Sequence, residues 1–336
     1  MLKTINCTES KHGCEILSKK ADPVVVLLTE FVLAAGMIAL LIFGLWAHTG
    51  SMPPLVVVES ESMMHDEEGE VGAIDAGDLI LVHSTPFDQI ITFAEASNPG
   101  SSSYGYEQHG MFGDVIIFKK NGGEETPIIH RAILEVQPFS FTSSSNNSSN
   151  PCPDGGIYDD EWLNMEGQYG VCVMTWQVPG TGITGVENIS IEFDGVQYAR
   201  YDCKFGVMAH EGLTQHLSIR EWTPTHAGFL TLGDNNHCSV DQRRVISSGG
   251  SLDGPVRESW MIGTAGGEIP WLGTVKLMVS GPPSPGTYYV PTSSFVFLFL
   301  VIGMVFIAPV VYEKLAIKIV SNSPEFEEVK TYAEEE

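Results

Sequence analysis

Two long apolar runs frame this chain and limit what it can fold into. Val24 to Trp46 spans 23 residues with Glu30 as its only charge, and Ser293 to Tyr312 spans 20 residues with none. Each is long enough to cross a hydrocarbon core of about 30 Å as a helix. The first run is too long for the apolar core of a secretory leader. It also has no tidy small-x-small site directly after it, so an uncleaved anchor is expected. Glu30 is expected near the interface or against the second span.

Basic residues set the expected orientation. Lys3, Lys11, Lys19 and Lys20 precede the first run, and Lys314 and Lys318 follow the second. The roughly 245 residues between the runs hold ten Lys+Arg, thinly spread, against 31 Asp+Glu, so the positive-inside rule puts both ends in the cytoplasm and His48 to Pro291 outside. An integral protein of the cytoplasmic membrane is expected, with a cytoplasmic N-terminus (1–23), a first span (24–46) and a second span (293–312). A cytoplasmic acidic tail (313–336) would follow.

The net charge of −25 argues against nucleic acid as a partner, because phosphate binding needs a basic face. With 43% hydrophobic and only 18% charged residues, the chain is not of the disordered class. Cys7 and Cys14 fall on the expected cytoplasmic side as free thiols. Cys152, Cys172, Cys203 and Cys238 fall outside, where disulfides form. Four cysteines allow three pairings, and spacing does not choose among them. There is no C-x2-C pair, which argues against zinc, and neither a metal nor a cofactor is expected.

Between the spans the pattern is mainly β. Leu55 to Val58 is β-prone. Ile74 to Val82 reads as a Gly-Asp turn feeding a strand, and Gly113 to Phe118 repeats that pattern. Residues 95–112 look like an inserted loop. Asn121-Gly122-Gly123 is a hairpin turn, and Thr126 to Val136 is its returning strand. A first core segment therefore covers 55–137. From 138 to 225 the chain makes a Ser/Asn/Pro-led excursion with strand-like stretches at 170–178, 189–193, 197–203 and 216–222. It reads as a small β subdomain stapled by disulfides. Asn146, Asn147 and Asn188 are candidate glycosylation acceptors there. A second core segment, 226–280, holds the Gly233-Asp234-Asn235-Asn236 turn and strand-like stretches at 260–263 and 269–273. A stiff Pro-rich linker leads from it to the second span.

The chemistry centres on Ser60-Glu61-Ser62-Met63-Met64-His65, just past the membrane exit. A serine hydroxyl is a weak nucleophile and needs a base and an orienting acid. His130 lies in a strand beside Arg131. His48, His65, His83, His109, His210, His216, His226 and His237 lie at strand ends or in loops. Asp234 and Asp241 are candidate acids, although an Asp in a Gly-Asp-Asn-Asn turn also serves the turn itself.

An anchor, Ser-x-Ser-Met, Gly-Asp with an apolar strand, Ile-His-Arg, Gly-Asp-Asn-Asn and a later Val-Asp follow one another in this order. The set resembles type I signal peptidases, in the archaeal and endoplasmic-reticulum branch that uses histidine where bacterial enzymes use lysine. The resemblance covers residues 24–136 and 226–276. It implies Ser62 as nucleophile and His130 as general base. Asp241 would orient the base, with Asp234 as a supporting carboxylate; which aspartate touches His130 stays open. The Ser60 hydroxyl and the Ser62 N–H would form the oxyanion site. It further implies a preprotein substrate lying as an added strand, with Val58, Glu61 and Met63 as contacts and small residues before the cut. One departure is His65, where the family commonly has proline; no orienting partner for its ring is evident. The excursion has no counterpart and can extend the groove, contact a translocon or be a passenger. Two rival readings are a serine–lysine peptidase using Lys119, Lys120, Lys204 or Lys276, and a non-catalytic membrane-anchored surface or assembly protein on a degenerate peptidase scaffold.

Overall fold

A computed structural model describes residues 23–139, 156–163, 169–193, 217–236, 238–243, 245, 250–282 and 284–321. The expected cytoplasmic N-terminus, Cys7, Cys14, Cys152, Cys203, Lys204, the strand expected at 197–203, and Asn146 and Asn147 lie outside these residues.

The chain divides into a unit ending at Gly50 and a unit running from Ser51 onward. The first unit contains helix α1 (Pro23–Thr49). Its stretch Val24–Thr49 is long and apolar enough to cross a membrane. Glu30 sits about two turns from its start.

The second unit is mostly β. In chain order it contains β1 (Leu55–Val57), β2 (Leu79–His83), helix α2 (Phe93–Ser97), β3 (Glu107–Gln108), β4 (Met111–Phe112), β5 (Val115–Phe118) and β6 (Ile128–Pro138). Then come β7 (Gly156–Leu163), β8 (Tyr169–Val178), β9 (Ile183–Val186), β10 (Ile189–Glu192), β11 (Ser218–Trp222), β12 (Gly228–Leu232), β13 (Met261–Ile269), α3 (Thr274–Val279) and α4 (Thr292–Ser321). The apolar stretch of α4, Thr292–Ala316, is also long enough to span a bilayer. Both apolar helices run past the ends expected from the sequence, because helical residues continue beyond the last strongly apolar position.

One sheet takes the order β1-β2-β13-β5-β6-β8-β7, with β12 also on β6 and β9 also on β8. β5 reads Val-Ile-Ile-Phe and is buried throughout. Its alternate residues enter two different cores: Val115 and Ile117 pack with Val58, Met63, Ile74 and Ile80, while Ile116 and Phe118 pack with Ala132, Phe229, Leu252 and Val256. A strand covered on both faces needs no polar alternation. The two Gly-Asp turns precede β2 and β5 as expected. Asp114 accepts from Ile91 N–H (2.8 Å) and from Tyr106 O–H (2.8 Å), so it ties flanking loops to the strand that follows.

The excursion is built onto the same sheet. β6 continues to Pro138, and Gln137 and Pro138 pair with Gln177 and Trp176 of β8. Trp176, Val178, Ile189 and Trp222 then share a core with Ile133, Leu134 and Leu230. β7 and β9 join the strands expected from sequence. Cys172 and Cys238 are each disulfide-bonded. Asn188 is exposed in the turn between β9 and β10. The stretch expected as an open loop at 95–112 starts inside α2, where Thr92 and Glu95 form a reciprocal cap, and it includes the β3–β4 pair. The strand-like stretch at 260–263 opens β13, but of the stretch expected as strand at 269–273 only Ile269 belongs to β13; residues 270–273 form a turn that leads into α3.

Candidate active site

Ser62 lies on the tight turn that follows β1. Met63, the next residue, is 1% exposed and packs in the core with Val58 and Ile74. Burying a methionine contributes roughly 1.5–3 kcal/mol, and here it pins the turn from below while Ser62 stays partly open. From above, Asn235 N–H donates to Ser62 C=O (2.8 Å) and its side-chain amide donates to Glu61 C=O (3.0 Å). The turn at 233–236 therefore lies directly on the serine. Gly233 permits this closeness: a Cβ there would sit 2.6 Å from Ser62 O and 2.8 Å from His130 Nε2.

β6 delivers the imidazole. His130 pairs in register with Ile116 of β5, and its Nε2 lies 2.9 Å from Ser62 Oγ. Its Nδ1 lies 2.6 Å from Asp241 Oδ2. Asp241 is thus the acid at the ring. Thr231 Oγ1 donates to the same carboxylate oxygen (2.7 Å), and the buried Gln242 amide donates to Thr231 Oγ1 (3.1 Å). A hydroxyl, an imidazole and a carboxylate stand in line, with the ring held from behind. In that arrangement His130 can take a proton from Ser62, and Asp241 fixes the tautomer that leaves Nε2 unprotonated. Ser60 Oγ is 3.1 Å from Ser62 Oγ, so its hydroxyl sits beside the oxygen expected to attack. The Ser62 N–H has no partner among the described residues.

Asp234 does not touch His130. Arg131 and His130 are neighbours on a strand and leave it on opposite sides. Arg131 clamps Asp234 with two bonds, Nε to Oδ1 at 2.9 Å and Nη2 to Oδ2 at 2.6 Å. His65 Nε2 meets Asp234 Oδ2 at 2.9 Å. Arg131 is fully buried and Asp234 is 1% exposed. Burial alone would raise the Asp234 pKa, but the Arg131 charge and the bonds from Arg131 and His65 outweigh it and hold the carboxyl at about 2. His65, which sequence left without a partner, has one 169 positions away. None of the described lysines replaces His130: Lys119 pairs with Glu124, Lys120 with Glu125 and Lys276 with Glu59.

A cleft of about 410 Å³ opens at Ser62 and His130, walled by Val57, Val58, Met63, Ile128 and Ile129. Of the three expected contact residues, Val58 and Met63 line it. Glu61 does not; it turns the other way into an acidic groove of about 520 Å³ with Asp66, Glu67 and Glu68. Its peptide is adjacent to Ser62, but consecutive side chains in the turn diverge. A larger cleft, about 570 Å³, lies at Trp222, Thr225, Arg243 and Asp253, and neither Ser62 nor His130 lines it.

A second carboxyl group sits where β2 and β13 begin to pair. Asp75 and Glu268 are pushed up to about 7, chiefly by burial and further by neighbouring carboxylates. Asp78 is raised by burial, although the Trp271 and Asp75 N–H groups bind it. No group of metal ligands occurs among the described residues.

Sequence reasoning named Ser62, His130 and Asp241. It missed the parts played by Thr231 and Gln242, which carry no motif, and by Asn235, whose Gly-Asp-Asn-Asn turn was noticed but not its bonds to the serine turn; all three act through a neighbour. Compared with known proteins, the chain matches no family model and no curated relative.

Proposed function

We propose that this chain is a membrane-bound serine endopeptidase of the type I signal peptidase kind, in the archaeal and endoplasmic-reticulum branch. It removes N-terminal signal peptides from preproteins at the outer face of the membrane. The observation that carries the reading is the line Ser62–His130–Asp241, assembled from three separate segments with hydrogen-bond distances at both joints.

Ser62 Oγ attacks the scissile carbonyl as His130 takes its proton. His130 then returns that proton to the leaving amine, and water hydrolyses the resulting acyl-enzyme by the same route. The Ser62 N–H and Ser60 hydroxyl face the developing oxyanion. β1 ends the sheet and pairs only with β2 among the described strands, so its free edge beside the cleft suits an added substrate strand. The apolar walls of Val57, Val58, Met63, Ile128 and Ile129 suit small apolar residues such as Ala at the first and third positions before the cut. α1 and α4 would be the two spans, with both termini cytoplasmic, and would hold the site at the height where leader peptides end.

A fluorophosphonate-type serine probe tests the assignment. A covalent adduct is expected on Ser62 in the wild type and none in Ser62→Ala. An unlabelled Ser62 in folded wild-type protein would favour the non-catalytic scaffold instead.

A further inference from the structure

Behind Asp241 the hydrogen bonds have only one direction open to them. Leu230 of β12 pairs with Leu134 of β6, but Thr231 pairs with Ala132, so β6 carries Ile133 as an extra residue at this step. A bulge of this kind re-aims a neighbouring side chain. Here that side chain is Thr231, which is fully buried. The segment after the 233–236 turn comes back along it. Asp241 N–H donates to Thr231 C=O (3.0 Å), and Thr231 N–H donates to Gln242 Oε1 (3.0 Å). The same segment is held from its other side: Leu252 N–H donates to Asp241 C=O (2.9 Å), and Arg243 N–H to Leu252 C=O (3.0 Å).

The protons follow from what each group can do. A backbone N–H only donates and a backbone C=O only accepts. The Gln242 side chain meets one of each: Oε1 accepts from Thr231 N–H, and Nε2 donates to Phe229 C=O (3.4 Å). Its amide is therefore held one way round. The same Nε2 lies 3.1 Å from Thr231 Oγ1, and there too it can only donate. The single proton of the Thr231 hydroxyl then goes to Asp241 Oδ2 (2.7 Å). That oxygen also accepts from His130 Nδ1–H (2.6 Å). Bonds thus run into Asp241 from both ends, from Ser62 through His130 and from Gln242 through Thr231.

We infer that Gln242 and Thr231 are positioning residues for the serine chemistry: Gln242 sets the direction of the Thr231 proton, and Thr231 holds Asp241 at the angle that orients His130. This rests on Ser62 being the nucleophile. Neither residue lines the cleft at Ser62, so both act on the proton-transfer step rather than on substrate binding. A glutamine that served only the Thr231 N–H would need its oxygen alone; the second bond, from its nitrogen, is the one that reaches the acid. Without that bond the hydroxyl is free to turn its proton away. Asp241 then loses a donor, and the imidazole is held less firmly toward Ser62.

The test uses the full chain in membranes, with a model preprotein and the fluorophosphonate probe. Thr231→Val keeps the size and removes the hydroxyl, Thr231→Ser keeps the hydroxyl, and Gln242→Met keeps the length and removes the amide. Thr231→Val and Gln242→Met are each expected to lower kcat by about 10–100-fold, the worth of a hydrogen bond to a charged group, with KM unchanged. Thr231→Ser is expected to stay near wild type. The double variant Thr231→Val with Gln242→Met is expected to lose no more than the worse single one, because the two act through one chain of bonds. Urea midpoints check the fold. If Gln242→Met does not fold, Gln242→Glu takes its place; it keeps an acceptor for Thr231 N–H, draws the hydroxyl proton to itself and is expected to show the same loss. A folded variant at 242 or Thr231→Val with wild-type kcat overturns the proposal. So does a raised KM with kcat unchanged, a Thr231→Ser variant as slow as Thr231→Val, or losses that multiply in the double variant. In each of these cases the wild type still cleaves, and the peptidase reading stands. A wild type that cleaves nothing and leaves Ser62 unlabelled overturns that reading and the proposal with it.

Discussion

The molecule contains two histidine–aspartate pairs, and they are built differently. His130–Asp241 opens on a cleft, with its ring between a hydroxyl and a carboxylate, and its side chains are 10% and 11% exposed. His65–Asp234 is sealed at 3% and 0%, with Arg131 on the same carboxylate. The first pair has a place for a reacting atom. The second has none; it closes a buried charge and joins the serine turn to the 233–236 turn. The same two residue types can therefore serve proton transfer or bracing, and what separates them is access and the presence of a third charge.

Substitutions should separate the pairs. His130→Ala is expected to lower preprotein cleavage by about 10⁵–10⁶ while leaving the urea midpoint near wild type, whereas His65→Ala is expected to do more harm to stability than to the chemical step. Cleavage rates and unfolding curves on both variants check this. Asp241→Asn keeps the shape but offers the wrong hydrogen-bonding partner to Nδ1, so a loss of about 10⁴ in turnover is expected with little change in fold. Asp234→Asn should show the reverse. It strands Arg131 in the interior, and about 3–5 kcal/mol of stability is expected to go, read as a lower urea midpoint.

The two acid groups should also differ in pH response. Asp234 has a folded pKa of about 2, below its ordinary 3.8. Its contribution, about 2 kcal/mol, is present above pH 4 and is lost as pH falls toward 2. Asp75 and Glu268 have folded pKa values of about 7, above their ordinary values. Their protonated forms favour the fold below about pH 4, and that benefit is lost as pH rises through 7. Glu268→Gln is therefore expected to raise Tm by roughly 2–4 °C at pH 8 and to leave it unchanged at pH 4. A thermal scan at the two pH values decides it.

Much of this was legible in the sequence, for local reasons. Length and apolarity are enough for the two helices. Gly-Asp before an apolar run is enough for β2 and β5, because the turn chemistry and the strand are contiguous. Ser62 and His130 stood out because each sits in a short motif. The rest depended on long-range registration. His65 and Asp234 meet only because the 233–236 turn folds over the serine. Asp241 was not separable from Asp234 until β12 placed Thr231 against it. The excursion looked separate because β6 was expected to end at Val136, directly before the two residues that pair with β8. Glu61 was misplaced because a tight turn, unlike a strand, has no fixed side-chain alternation.

The central claim is that Ser62 is a nucleophile driven by His130. It is tested most directly by cleavage of a model preprotein, inserted in membranes, by the wild type and by Ser62→Ala. The wild type is expected to release a signal peptide ending in a small residue, and Ser62→Ala, equally folded, is expected to release none. Cleavage by Ser62→Ala at the wild-type rate, or a folded wild type that cleaves no preprotein, would contradict the account.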